Sequence, residues 1–393
     1  MKNEEYFDND STQATRAKGT NTHVFTLIPK QLLTLNAIAP YYTMFPIQFP
    51  LSMLKKARMN DWVLDPFCGR GTTMYACRLL GLNSIGIDAD LVAVAITKSK
   101  LVNPTPESIL KEAKNIINSK NSKIFTNPEG EFWDLAFDRE TLTDICNIRN
   151  SLLNDCKSDA RIALRGLMLG ALHGPMGKYT QSYFSNQMPR TYTTKPDSAI
   201  RFWKKNKLAP ARISVLKVIE ARARRFYSNL PSKTEGNAYL HDSRKDFTNR
   251  IDKKFKWIIT SPPYLGMNDY GINQWLREWF VGGPEYPDYR SKNRLASGSI
   301  QKFESDLKSV WKNVSAVSEI GASLIIRFGS LPYKPYDFKG LIQRSLECNG
   351  SDWIIEKIEG AGFSDDGRRQ SKQFWPTMKS SLEEIDVYAR KVS

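Results

Sequence analysis

Two short stretches hold residue types that could do chemistry. The first is Asp65-Pro66-Phe67-Cys68-Gly69-Arg70-Gly71-Thr72. Glycines at 69 and 71 let the backbone turn tightly and approach a ligand with no Cβ in the way. Asp88 ends the next apolar run, where an acid can accept hydrogen bonds from ribose hydroxyls. A dinucleotide fingerprint wants a third glycine, but position 74 is Met, and an acid at 65 would repel a pyrophosphate. A nucleoside with cationic groups suits Asp65 better, and S-adenosyl-L-methionine, with its amino and sulfonium groups, is such a ligand. The second stretch is Ser261-Pro262-Pro263-Tyr264, which follows the apolar run Trp257-Ile258-Ile259. Its two proline rings remove backbone donors and stiffen the loop.

The elements that must position these residues follow from periodicity. Trp62-Val63-Leu64 reads as a buried strand, Thr72–Leu80 as a helix that Gly81 ends, and Ser84–Ile87 as a second strand with Asp88 at its carboxyl end. Leu91–Val102 continues as a helix. Helical spacing recurs at Thr141–Asn154, Ala160–Leu172 and Ser214–Tyr227. Strands return at Asn237–His241 and Lys256–Thr260, then at Ala322–Phe328, Trp353–Ile358 and Glu384–Arg390, with helices at Phe303–Ser315 and Leu341–Cys348. The last strand is able to insert antiparallel beside its predecessor.

Net charge of +16 implies a polyanionic partner. Its distribution is uneven: residues 151–230 carry 15 Lys/Arg against 4 Asp/Glu. Within them Lys178, Arg190, Lys195, Arg201, Lys204, Lys205 and Lys207 interleave with Tyr179, Tyr183, Phe184, Tyr192, Phe202 and Trp203, and Arg222, Arg224 and Arg225 cluster near the end of the 214–227 helix. Cations that pair with phosphates, beside rings that stack on bases, suit a nucleic-acid surface. A further basic run, Arg368, Arg369, Lys372 and Lys379, lies before the last strand. No apolar run approaches membrane-spanning length, and Met1–Gly19 is too polar for a secretory signal. The five cysteines form no CxxC pair, which argues against a zinc site or disulfide framework and for a reducing cytoplasm.

The segment DPFCGRGTT at 65–73 and TSPPY at 260–264 resemble motifs I and IV of the amino-methylating DNA methyltransferases, which modify N4 of cytosine or N6 of adenine. FPIQFP at 45–50 resembles motif X, which in the family lies along the methionine end of the cofactor; Phe49 stands where a basic residue is usual. The run ending at Asp242 resembles motif III, whose acid accepts from the cofactor's adenine amino group. The resemblance covers roughly 40–102 and 236–393. It implies an α/β, Rossmann-like seven-stranded methyltransferase sheet with a mostly helical insertion. The expected layout is a flexible 1–22, a cofactor half at 23–102, a basic insertion for target recognition at 103–235 and a catalytic half at 236–393.

The same resemblance implies S-adenosyl-L-methionine held by Asp65, Pro66, Phe67, Cys68, Gly69, Gly71, Thr72, Asp88, Asp242, Pro46 and Gln48. Ser261 and Pro262 would accept the amino hydrogens of the target base, with Pro263 stiffening the loop and Tyr264 stacking on a base turned out of the duplex. Double-stranded DNA is the implied partner, with room for a cognate restriction endonuclease. Serine at the first motif position favours N4-cytosine over N6-adenine, with pocket shape left to residues such as Met267, Asn268 and Trp275. A cytosine-C5 enzyme is disfavoured, because it needs a Pro-Cys nucleophile and no cysteine follows a proline here. An RNA amino methyltransferase and a non-enzymatic nucleic-acid binder are the rival readings.

Overall fold

A computed structural model of the chain describes residues 28–41, 45–119, 127–174, 182–185, 195–266, 270–287, 295, 299–330, 336–347, 352–363 and 383–393. The expectations for 1–22, Lys178, Tyr179, Arg190, Tyr192, Met267, Asn268, Cys348 and the basic run at 368–379 lie outside them.

The strands are β1 (Trp62–Asp65), β2 (Asn83–Asp88), β3 (Gly236–Leu240), β4 (Phe255–Thr260), β5 (Ser318–Gly329), β6 (Trp353–Phe363) and β7 (Glu383–Lys391). They form one sheet in the order β3-β2-β1-β4-β5-β7-β6. The first five run parallel, and β7 inserts antiparallel between β5 and β6. This is the Rossmann-like methyltransferase sheet that the sequence implied. The chain moves outward from β1 to β3 on one side and from β4 onward on the other. The carboxyl ends of β1 and β4 therefore flank the switch point where open α/β sheets bind ligands.

The helices are α1 (Lys30–Leu33), α2 (Gln48–Met53), α3 (Thr72–Leu79), α4 (Leu91–Ser99), α5 (Pro106–Ile117), α6 (Glu131–Ala136), α7 (Arg139–Asn154), α8 (Asp159–Ala171), α9 (Pro196–Lys205), α10 (Val215–Tyr227), α11 (Tyr270–Phe280), α12 (Ile300–Val317) and α13 (Phe338–Leu346). Alternate strand residues serve opposite faces. Leu64, Ile258, Leu324 and Ile326 pack with Leu307, Val310 and Trp311 of α12 and Leu341 and Ile342 of α13. Val63, Ile259 and Ile325 turn the other way, toward Phe45, Phe49, Leu54 and Cys77.

Helices α5 to α10 fill the interval expected to be a helical insertion. Their core is continuous with that of the sheet's own helices: Tyr75 and Ala76 of α3 and Val92, Ala95 and Ile96 of α4 share it with Leu164, Leu167, Val218 and Ile219. Polar side chains start several of these helices, with Thr105, Asp138, Ser158 and Ser214 each accepting from a backbone N–H of the first turn. Part of the basic and aromatic stretch, Pro196–Lys205, is the helix α9. Its Trp203 is buried, as is Phe184, so these two rings belong to the core and not to a base-stacking surface. The reason is their apolar neighbourhood: Phe132 lies 5.3 Å from Trp203, ring to ring, and 4.7 Å from Trp275 of α11. Among the described residues no helix is long and apolar enough to cross a membrane. Cys68, Cys77, Cys146 and Cys156 are free thiols.

Candidate active site

The glycine loop and the SPPY loop leave the neighbouring carboxyl ends of β1 and β4, and Asp65 ties them together. Its side chain is 1% exposed. Oδ1 accepts from Thr260 Oγ1 at 2.7 Å and from the Phe67 N–H at 3.1 Å, while Oδ2 accepts from Thr73 Oγ1 at 2.7 Å. One carboxylate thus joins the end of β4, the turn after β1 and the first turn of α3. Burial raises its pKa to about 6 against the pull of those bonds. Asp65 was expected to face the cofactor's cationic groups. It lies beneath the loop instead, because three protein donors already claim its oxygens.

The loop above it is closed by its glycines. Gly69 has φ of 50° and Gly71 of 76°, both left-handed. A Cβ on Gly71 would stand 2.6 Å from Thr97 Oγ1, whereas one on Gly69 would meet only Tyr41, at 3.7 Å. The loop therefore packs on α4 at Gly71 and stays open at Gly69. Thr97 Oγ1 donates to the Gly69 carbonyl at 2.9 Å, and the Gly69 N–H donates to Asp88 Oδ2 at 2.8 Å. Asp88 also accepts from the Asp90 N–H at 2.9 Å. Burial, then the charge of Asp90, pushes Asp88 up to about 7. Each Asp88 oxygen takes one of these loop donors. Cys68 and Thr72 are buried, and burial pushes the Cys68 thiol well up. Pro66 is also buried, and its carbonyl accepts from Ser243 Oγ at 2.6 Å; Phe67 is half-buried.

On the other flank Pro46 and Gln48 are exposed where α2 begins, while Phe49 turns inward against Phe45, ring centroids 5.0 Å apart. The guanidinium of Arg327 on β5 lies 3.8 Å over the Phe49 ring and pairs with Asp386 of β7 at 2.7 Å. A cation thus reaches this flank from a strand distant in sequence. Asp242, at the end of the β3 run, is held by Arg244 through both oxygens, at 2.7–3.1 Å, and Arg244 also reaches Asp306 at 3.1 Å. Burial pushes the Asp242 pKa up, but the Arg244 bonds outweigh it and hold the carboxyl below the ordinary range.

In the SPPY loop Ser261 and Pro263 are half-buried, and Pro262 and Tyr264 are buried. Tyr264 was expected to offer its ring to a base. Here the ring meets Phe328 edge-on at 5.5 Å, and its hydroxyl donates to Glu384 Oε1 at 2.7 Å. The side chain is 6% exposed, so the core claims it. Glu384, Arg327 and Thr260 escaped the sequence reading. The one available signal was Glu384 and Asp386, two acids on a single face of an otherwise apolar strand.

Of the basic residues in the insertion, Arg201, Lys204, Lys205, Arg224 and Arg225 are exposed. Lys204 pairs with Glu131, and Arg224 with Glu220 at 3.1 Å. Arg222 differs from the surface role expected of it. Its Nη2 donates to the Ile38 carbonyl at 2.8 Å, its guanidinium sits over Tyr183 and Phe226, and burial lowers its pKa to about 10. It pins α10 to the segment after α1.

Comparison with known proteins adds sequence matches to this geometry. A family model described as DNA methylase matches residues 4–99. The chain is 39% identical over 74 residues to the type II methyltransferase M.MthZI of Methanothermobacter thermautotrophicus, 17% of this chain and 21% of that one. It is 31% identical over 116 residues to M.MjaII of Methanocaldococcus jannaschii, 23% and 22% of the two chains. Against M.BsoBI of Geobacillus stearothermophilus the identity is 27% over 249 residues, 58% of this chain and 48% of the relative. The chain thus spans about a fifth of the first two curated relatives and about half of the third. The cofactor that goes with these matches is S-adenosyl-L-methionine, and the open backbone at Gly69 beside Asp88 fits its nucleoside part. The sheet order, the glycine loop, the SPPY loop and the sequence matches converge on one likeness: the chain is similar to the amino-methylating DNA methyltransferases.

Proposed function

We propose that the protein transfers a methyl group from S-adenosyl-L-methionine to an exocyclic amino group of DNA, with N4 of cytosine as the target. The observation that carries this is the Asp65 bridge. Through Thr73 and Thr260 it holds the cofactor loop and the SPPY loop side by side at the sheet's switch point.

When bound, the cofactor supplies a methyl group on a cationic sulfur. The chain's own residues prepare the acceptor. Ser261 Oγ and the Pro262 carbonyl accept the two amino hydrogens of the base, drawing charge onto the nitrogen and stabilising the cation that forms. Two proline rings hold these acceptors ready, so no reorganisation is needed at the moment of transfer. The nitrogen cannot reach the cofactor from within the base stack, so the base is extruded. Asp88 and Gly69 orient the nucleoside, with Pro46, Gln48 and Thr72 toward the methionine end and Asp242 toward the adenine. Exposed Arg201, Lys204, Lys205, Arg224 and Arg225 contact the phosphate backbone, which positions the duplex without reading its sequence.

Serine at position 261 supports N4-cytosine because, in the family the chain resembles, cytosine-N4 members favour serine at this motif position and adenine members favour aspartate or asparagine. A cognate restriction endonuclease with the same target is the partner this reading proposes. The test is methyl transfer to DNA followed by nucleoside digestion. N4-methylcytosine is the expected product. N6-methyladenine alone overturns the base assignment, and transfer to RNA but not DNA overturns the substrate class.

A further inference from the structure

Arg70 stands between the two left-handed glycines of the cofactor loop. Its Nε is shut off from solvent and has no hydrogen-bond partner among the described residues. The residue as a whole is half-buried. At the C-terminus of α4, Lys100 is fully buried and donates to Asn36 Oδ1 at 2.9 Å. The two cations feel each other: burial and then the charge of Arg70 hold Lys100 well below its ordinary pKa, and burial lowers Arg70 to about 10. Among the described residues neither has a carboxylate in ion-pair range, although the loop holds two acids. Asp65 is taken by Thr73, Thr260 and the Phe67 N–H, and Asp88 by the Gly69 and Asp90 N–H groups.

The loop therefore satisfies its acids with neutral donors and leaves its cations without an anion. A desolvated cation with no counter-charge is costly, and one left in a ligand-binding loop is recovered when the ligand brings the missing charge. An arginine fork also matches a carboxylate with two parallel hydrogen bonds, which a lysine cannot reproduce.

We propose that Arg70, backed by Lys100, takes the α-carboxylate of the methionine part of S-adenosyl-L-methionine. This rests on the cofactor assignment above and adds a ligand contact to it. A cofactor analogue without the carboxylate is then discriminated against.

The test is calorimetric titration of the full-length protein with S-adenosyl-L-methionine and with its decarboxylated form, which differ in that one group. Wild type is expected to bind the carboxylated ligand about 10- to 100-fold more tightly. Arg70→Gln should remove most of this preference by weakening S-adenosyl-L-methionine alone, and Arg70→Lys should restore part of it. Equal weakening of both ligands, or an unchanged ratio, overturns the proposal by making Arg70 a loop-shaping residue. A wild type that binds the two ligands equally overturns it without any variant. A wild type that binds neither overturns the cofactor assignment as well, so the two failures are distinct.

Discussion

Tyr264 Oη lies 2.7 Å from Glu384 Oε1, so the last residue of the SPPY loop is tied to the start of β7, the antiparallel strand inserted between β5 and β6. Both side chains are buried, at 6% and 3% exposure. Glu384→Ala should therefore leave a buried hydroxyl without its acceptor and cost about 1–3 kcal/mol of stability. Glu384→Gln keeps an acceptor oxygen and should recover most of that. Denaturant melts of the two variants check the ranking. Single-turnover methyl transfer should fall for the alanine variant while cofactor affinity holds, because the loop loses its anchor and the glycine loop does not.

Asp88 and Asp65 give the fold a pH dependence with a definite sign. Their pKa values are raised from 3.8 to about 7 and about 6. The folded state thus holds these protons more tightly than the unfolded chain. Their contribution is fully present below about pH 4 and is lost as pH rises through about 6 and then about 7. Asp88→Asn cannot ionise, so its stability relative to wild type should improve between pH 5 and pH 8. Urea melts at those two values measure it, and an equal gap at both would mean that Asp88 ionises normally.

Gly71→Ala should damage the cofactor loop. The left-handed backbone costs an alanine about 1–2 kcal/mol. Its Cβ would also press on Thr97 Oγ1 at 2.6 Å, the hydroxyl that holds the Gly69 carbonyl. Thermal unfolding should report the loss of stability, and calorimetry a loss of S-adenosyl-L-methionine affinity. Gly81→Ala is the control: its φ is 74°, but nothing lies within 4 Å of the added carbon, so strain alone should appear.

The arginines at the end of α10 should separate. Replacing Arg224 and Arg225 with alanine should weaken duplex binding and reduce its salt slope by up to about two phosphate contacts, with little loss of stability. Arg222→Ala should do the reverse, since its guanidinium serves Ile38 and the rings of Tyr183 and Phe226. Fluorescence anisotropy across a salt series, beside melting curves, distinguishes the pair from the single residue.

The sheet was legible because its strands are apolar runs that end in punctuation. Proline and glycine follow Asp65, proline follows Ser261, and Asp88 closes the run between them. What stayed hidden depends on tertiary neighbours. Arg222 has the same residue type and helical context as Arg224, and only the approach of Ile38 makes it structural. Tyr264 reads as an exposed ring beside two prolines until β7 supplies a buried acid. Trp203 sits among lysines in sequence, yet its face of α9 meets Phe132. The helix α9 itself was obscured by a run of polar and basic residues that masks a single buried stripe of Ala199 and Trp203.

Helix α11 begins a few residues after Tyr264, but its Trp275 and Trp279 pack against Phe132 and Trp133 of the insertion, with rings 4.7 Å apart in each pair. The chain thus leaves the SPPY loop and roots itself among the helices between β2 and β3. Exchange of this helical interval between relatives is then not a cut at 103 and 235. A donor segment grafted there would replace Phe132 and Trp133 and leave Trp275 and Trp279 of α11 facing a foreign surface. The unit of inheritance, for an engineer or for recombination, is the insertion together with α11.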